Sequence, residues 1–583
     1  MNDRGLRWLL VGTLTVFLYC QALAVGRQSL TMDEPYHLLA GDQALRTGTN
    51  SLNYEHPPLV KLVAALPLLS VESPWPEPVP LRQALERAPD LFRSPALANR
   101  VRVEARALLV LAFALPWLLA CYALGRELGG KALGTALAVV LGLSSMAIPF
   151  LSLVQTDAAV ALGYALTLLA GLRFAREPTR RYALALGAAL GLALAAKFSG
   201  LLLAPAVLAV LFWPGGAVPS SRLARAFLAL GTALLVAALP YAVANRRYQR
   251  AEAQESIRTY CSGQGTLVVG DRLAGEEGRL LALERASPGL AQAWLGVSGI
   301  RIQNALGVYP YYAFGKLSSK GRWWYFPALL AVKTPLAILL ASAAAFLAWL
   351  RGRRGEVASR LPPAAQAMLW LGGGVYLAFA LAGNYNLGSR HLLPVLPLLY
   401  LPAARWAAER PRRLSALFLV LAVEALWLAP GWMSATNTWW LGEANPSRFA
   451  LGGGDTEYKQ NFLELAREAE RRGIERLGVV FPGTGTAEIA ASIPGAVAVA
   501  PGEPLAPGWY AVTVLAEQSV PGILAARPEE LFDAERYRAL AEAWRPLLAA
   551  LAAGEDHGYL AGSFHLYRLP GPSAPSASTL PAR

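Results

Sequence analysis

The stretch "GAALGLALAAKFSGLLLAPAVLAVLFW", residues 187–213, contains a single charged residue, Lys197. A helix needs about 20 apolar residues to cross a bilayer. The run reads either as one long helix or as two spans, 182–196 and 200–214, with Lys197 ending the first. Similar runs occur at 7–26, 106–124, 131–149, 152–172, 226–243, 325–350, 366–383, 391–404 and 414–433. Read as two spans, the quoted stretch brings the expected total to about eleven. The whole chain is 55% hydrophobic and 16% charged, where a soluble protein carries about a quarter charged residues. We therefore expect a polytopic α-helical membrane protein.

The formal charge of +14 does not point to nucleic acid, because no basic stripe with interleaved aromatics lies outside the apolar runs. Its distribution points to topology. The basic segments "RELGGK" (126–131), "RFAREPTRR" (173–181), "SSRLAR" (220–225), "RGRRGEVASR" (351–360) and "RWAAERPRR" (405–413) all fall on one side of the expected bundle. Basic loops stay on the cytoplasmic side, which sets the N-terminus inside. Two long loops, about 27–105 and 244–324, and the chain beyond about 434 then lie outside. The first span has features of a signal peptide, a basic start and "ALA" at 22–24. We read it as a retained helix. Cys20, Cys121 and Cys261 are too few for a disulfide framework, and no pair is evident.

Beyond 455, helical patterns alternate with short strand-like runs such as "RLGVVF", "GWYAVTVL" and "YLAGSFHLYRL". That alternation reads as a small α/β domain. The last stretch, "GPSAPSASTLPAR", has a disordered composition.

Ionisable residues at a membrane raise a functional hypothesis by default. Asp33 and Glu34 follow the first span, Asp157 opens the fourth and Lys197 ends the fifth. Lys333 lies near the start of the eighth, and Arg390 with His391 opens the tenth. All of these sit at outer ends on the topology above, and only Glu424 falls near mid-membrane. Carboxylates and cations beside lipid suit group transfer from an anionic lipid. A carboxylate can take a proton from an attacking hydroxyl, while cations stabilise a departing phosphate.

Five motifs occur together: "TMDEPYHLLAG" (31–41), "NYEHPPLVKLVAALPLL" (53–69), "QTDAAVALGYAL" (155–166), "YYAFGKLSSKGRWWYFPALLAVKTPL" (311–336) and "NYNLGSRHLLPVLPLL" (384–399). In this order they resemble the protein O-mannosyltransferase family, glycosyltransferase family 39, with its bacterial relatives and the lipid A aminoarabinose transferases. The resemblance covers about residues 1–435. It implies a GT-C transmembrane glycosyltransferase domain there, and the patterns beyond it set an extracytoplasmic α/β domain over 436–570 and a disordered tail over 571–583. It also implies a multi-pass cytoplasmic (inner) membrane location, with the C-terminal domain outside or periplasmic.

The resemblance further implies a hexosyl- or pentosyltransferase acting outside the cytoplasm. Its donor would be a polyprenyl-phosphate sugar and its acceptor a protein, lipid or glycan. Asp33 matches the catalytic acid, as an inverting base, and its neighbour Glu34 is the second catalytic candidate. Glu55, Lys61, Asp157, Lys197, Lys333, Arg390 and His391 become candidates for holding substrate. His37 and His56 read as structural. The acids and histidines permit a divalent metal without specifying one, and no metal ligand is assigned. A transporter or flippase of lipid-linked sugars is the alternative from another class; it would call for inverted repeats or mid-membrane charges. Close bacterial relatives carry an "SNLDWGQDL"-like segment after the last span, where this chain reads "GGGDTEYKQNFLEL" (452–465). That departure is expected to bear on the acceptor.

Overall fold

A computed structural model of the chain describes residues 2–213, 219–263, 270–352, 361–437, 453–483, 485–560 and 562–570. The 571–583 tail and nearly all of the 351–360 basic segment lie outside the described residues.

The stretch at 187–213 forms two helical segments. Arg180–Ala196 ends at Lys197, whose extended backbone (φ −155°, ψ 143°) breaks the helix. The chain continues as a 3₁₀ turn, Phe198–Leu203, and a helix, Ala204–Phe212. Small residues let these segments nest. A Cβ added at Gly163 would lie 2.6 Å from the Ala193 backbone, and one at Gly200 would lie 2.7 Å from it. Close approach of this kind drives helix association in lipid.

Five described helical stretches are long and apolar enough to cross a membrane, or six if a bent pair is one span. The eleven apolar runs are therefore not eleven straight spans. Two of the helices, Arg180–Ala196 and Pro411–Trp427, have 17 residues each, at the short end for a crossing. The 48-residue stretch Pro95–Gly142 turns back on itself at Gly129 and Gly130, where φ is +80° at Gly130. A Cβ on Gly125 would lie 2.9 Å from the Gly134 Cα, whereas a straight helix would separate the two residues by about 13 Å. The "RELGGK" segment is thus a tight turn between two antiparallel helices, as its composition suggested.

Two runs differ from expectation. Residues 143–156, expected to belong to neighbouring spans, are mostly irregular and wholly buried. Irregular backbone is tolerated at membrane depth where protein covers it. The expected 325–350 span is broken, with Tyr325–Lys333 and Leu336–Leu350 meeting at 112°. Pro335 stands at that break, where it cannot continue a helix.

Among the described residues a short hairpin, β1 (Tyr311–Ala313) and β2 (Lys316–Ser318), precedes that bent pair. The C-terminal region holds β3 (Leu477–Val480), β4 (Ala496–Ala498), β5 (Gly508–Thr513), β6 (Glu555–Leu560) and β7 (Phe564–Leu569). They form one sheet in the order β4-β3-β5-β7-β6. β3 runs parallel to β4 and β5, and β7 runs antiparallel to β5 and β6. Alternating side chains enter two apolar layers. Tyr510 and Val512 face the Val514–Ala525 and Ala534–Ala552 helices. Ala511 and Leu566 face Phe462–Arg471 and Thr486–Ser492. This is the α/β unit expected beyond residue 455.

Candidate functional site

A cavity of about 570 Å³ lies between the helix ends remote from the basic turns and the start of the C-terminal unit. Of the residues singled out in the sequence, Asp33, Glu55, Asp157, Lys197, Arg390 and His391 line it. Glu34, Lys61 and Lys333 do not, and their assignments change.

Glu34 was expected beside Asp33 in catalysis. It is fully buried, and both its oxygens are occupied. Arg106 donates from Nε to Oε1 at 2.9 Å and from Nη2 to Oε2 at 2.5 Å. The backbone N–H groups of Thr31 and Val154 donate at 2.5 and 2.8 Å. Arg106 also donates to the carbonyls of Gln28 and Ser29. Burial is the largest influence and pushes the Glu34 carboxyl up, but the Arg106 guanidinium and the Thr31 and Val154 N–H groups together outweigh it and hold the group below its ordinary range. The pair therefore locks the first outer loop to the Pro95–Leu109 helix and to the irregular 143–156 segment. Removing one partner of such a pair typically costs about 3–5 kcal/mol.

Lys61 was a candidate for holding substrate. Its Nζ instead donates to the carbonyls of Asn53 (2.6 Å) and His56 (3.0 Å), shaping the turn that presents Glu55. Lys333 spends its three donors on the carbonyls of Met433 (2.5 Å), Ala435 (2.9 Å) and Asp455 (2.7 Å). It fastens the chain that leaves the last span. Glu424, the mid-membrane acid, is buried and accepts from Ser145 at 3.1 Å.

Asp33 is different. It occupies the N-cap position of Glu34–Thr47, and 43% of its side chain is exposed. The Tyr458 hydroxyl donates to its Oδ2, and Arg390 Nη1 lies 3.7 Å from that same oxygen. Arg390 is fixed in turn by Gln155 Oε1 (3.0 Å) and the Tyr458 hydroxyl (3.2 Å), with its guanidinium 5.0 Å from the Tyr458 ring centre. Asp157 and Lys197 pair at 2.7 Å on the same wall. The site thus has one half-open carboxylate flanked by a largely covered, immobilised cation.

Arg390 is held in place by the local backbone. Asp455 accepts from Ser389 through both its N–H and its hydroxyl, at 2.6–3.0 Å. Gly388, at φ +100°, brings the turn against it; a Cβ there would lie 2.7 Å from Asp455 Oδ2.

Glu55 faces the cavity, and burial followed by the negative charge of Asp33 pushes its carboxyl up to about 7. Burial lowers the Lys61 ammonium to about 7 and the His37 imidazole to about 4. His37, read as structural, does line the cavity. Among the described residues no group of three or more His, Cys, Asp or Glu could hold a metal ion. On the lining, Gln155 Nε2 and Arg390 Nε are buried with no hydrogen-bond partner among the described residues. Such atoms are costly unless a polar ligand or water meets them.

Sequence reasoning missed Gln155, Asp455 and Tyr458 as site residues. Asp455 and Tyr458 belong to "GGGDTEYKQ", noted only as a departure from the family pattern.

Residues 96–243 match the family model described as dolichyl-phosphate-mannose-protein mannosyltransferase, in agreement with the resemblance carried by the motifs. The matched span includes Asp157 and Lys197, while Asp33, Glu55 and Arg390 lie outside it. No curated protein sequence matches the chain. Among solved structures, the chain is similar to the archaeal oligosaccharyltransferase AglB from Archaeoglobus fulgidus in complex with an inhibitory peptide and a dolichol-phosphate. Identity is 13% and the TM-score 0.42, covering 95% of this chain and 74% of that one. It is also similar to ArnT from Cupriavidus metallidurans bound to undecaprenyl phosphate, with 13% identity and a TM-score of 0.32. That likeness covers 96% of this chain and 97% of the other.

Proposed function

We propose that this multi-pass membrane protein is a glycosyltransferase that moves one sugar from a polyprenyl phosphate to an acceptor hydroxyl on the extracytoplasmic face. The observation that carries the reading is Asp33: a half-exposed carboxylate in a largely apolar cavity, with Arg390 immobilised 3.7 Å away. The family match over 96–243 supports the same class of donor.

In the reaction, the acceptor oxygen attacks the anomeric carbon as its proton passes to the Asp33 carboxylate. The bond between that carbon and the phosphate oxygen breaks on the opposite face, inverting the centre. Its electron pair stays on the lipid phosphate, whose charge Arg390 stabilises. Lys197 is committed to Asp157, so we assign that pair to shaping the wall around the phosphate. Glu55 and His391 complete the polar lining. Asp33 returns its proton to water once the products leave. Lys61, Lys333 and Glu34 act as supports of the cavity.

Asp33→Asn keeps the shape and removes the base. Incubated with a labelled polyprenyl-phosphate sugar and acceptor, the variant is expected to lose about 100-fold or more of the transfer rate while inserting and folding normally. Near-normal release of lipid phosphate by that variant would sink the assignment. Acceptor-dependent release by the native protein also separates an enzyme from a flippase, which moves the donor without cleaving it.

A further inference from the structure

The segment after the last span does more than connect two parts of the chain. Its backbone pairs with the entry to the first outer loop: Ser29 N–H donates to Gln460 O at 2.9 Å and Met32 N–H to Tyr458 O at 3.2 Å. The Ser29 hydroxyl donates to Lys459 O at 2.5 Å and accepts from Phe462 N–H at 3.0 Å. The C-terminal unit holds the other side. Lys459 Nζ makes a buried ion pair with Glu488 at 2.7 Å, and Gln460 and Asn461 both donate to the Ser563 hydroxyl at 3.1 and 2.7 Å. Tyr458 is therefore placed by contacts on both sides, with its ring under Arg390 and its hydroxyl on Asp33.

We propose that Tyr458 is the positioning residue of Asp33, and that the C-terminal unit completes the transferase site by delivering it. The inference rests on the reading of Asp33 as the base. Tyr458 donates to Oδ2 and Arg390 lies 3.7 Å from that same oxygen, and Oδ1 is the oxygen we assign to the acceptor hydroxyl. A group that fixes a catalytic base in one orientation contributes to the rate without contributing to donor binding.

Tyr458→Phe keeps the ring and its stacking under the Arg390 guanidinium and deletes the hydroxyl, with its bond to Asp33 and the bond it accepts from Arg390 Nη1. The expected result is a fall in kcat of roughly 10- to 100-fold, with the KM for a polyprenyl-phosphate sugar within about two-fold of the native value. Unchanged or increased kcat overturns the proposal, the increase marking Tyr458 as an obstruction. A raised donor KM with native kcat also overturns it, since Tyr458 would then be a donor ligand. If Tyr458→Phe does not insert, Glu488→Gln serves instead; it loosens the segment from outside the cavity and is expected to lower kcat in the same way, native kcat overturning the proposal. Asp33→Asn is assayed beside them. Activity retained there removes the base reading itself, whereas an inactive Asp33→Asn with a fully active Tyr458→Phe removes this inference alone.

Discussion

Asp33 and Glu34 are adjacent carboxylates with opposite circumstances. Glu34 begins a helix facing inward, meets a guanidinium and two backbone donors, and has no lone pair left for a substrate. Asp33 sits one residue earlier, outside the helix, and keeps 43% of its side chain exposed. Glu55 gives the site its pH dependence. Its carboxyl is held near 7 by burial and by Asp33, so it is neutral below that pH and carries a charge above it. Lys61 loses its charge over the same range, because burial holds it near 7 as well. Both changes make the surroundings of the cavity more negative as pH rises. The KM for an anionic lipid donor is therefore expected to climb between about pH 6 and 8, and Glu55→Gln to flatten much of that climb. The same raised pKa means that Glu55 favours the fold below its unfolded value and that this contribution fades as pH rises toward 7. Donor KM measured across this range in both proteins checks the sign; a native KM that falls with pH contradicts it.

At the scale of elements, the turn that carries Arg390 depends on an interaction between distant parts of the chain. Gly388 stands at φ +100° with Asp455 pressed against its Cα, so Gly388→Ala adds both backbone strain and a clash. We expect about 1–3 kcal/mol of strain, a lower melting temperature in detergent and a transfer rate reduced by more than about ten-fold, as Arg390 moves off its partners. Native melting and native rate together would show that the turn tolerates a side chain. This interaction also marks the limit of what the sequence made legible. Lys197 as a helix end, the "RELGGK" turn and the strands "RLGVVF" and "GWYAVTVL" follow from local patterns, and all appear where expected. The cation at Lys333 was visible, but its three carbonyl partners lie 100 to 122 residues further along the chain. Tyr458 was harder still, because it lies 425 residues from the carboxylate it touches in a segment that differs from the family pattern. Spacing cannot reveal such a partner. The buried 143–156 segment was misread because an apolar run covered by protein has the same composition as one facing lipid.

For the whole molecule, the cavity functions as proposed only if it opens on the side opposite the basic turns. The outer helix ends, both long loops and the C-terminal sheet must then share one compartment. The positive-inside bias supports this, since "RELGGK", "RFAREPTRR" and "RWAAERPRR" all fall at the other ends of their helices. The protein suits a direct test, because Cys20, Cys121 and Cys261 are all buried and give little background to a thiol reagent. Glu177 is exposed in the turn between Asp157–Arg176 and Arg180–Ala196, and Asp556 is exposed on β6. In sealed right-side-out vesicles, a membrane-impermeant maleimide is expected to label Asp556→Cys at once and Glu177→Cys only after permeabilisation. Both substitutions are at surface positions away from the cavity lining, so transfer activity should survive and report that the labelled protein is folded. The reverse labelling order would put Asp33 and Arg390 on the cytoplasmic side, and the donor would then have to be presented from within. Labelling of both sites before permeabilisation would break the bundle topology itself, because a single helix, Asp157–Arg176, connects the Glu177 turn to the wall that carries Asp157.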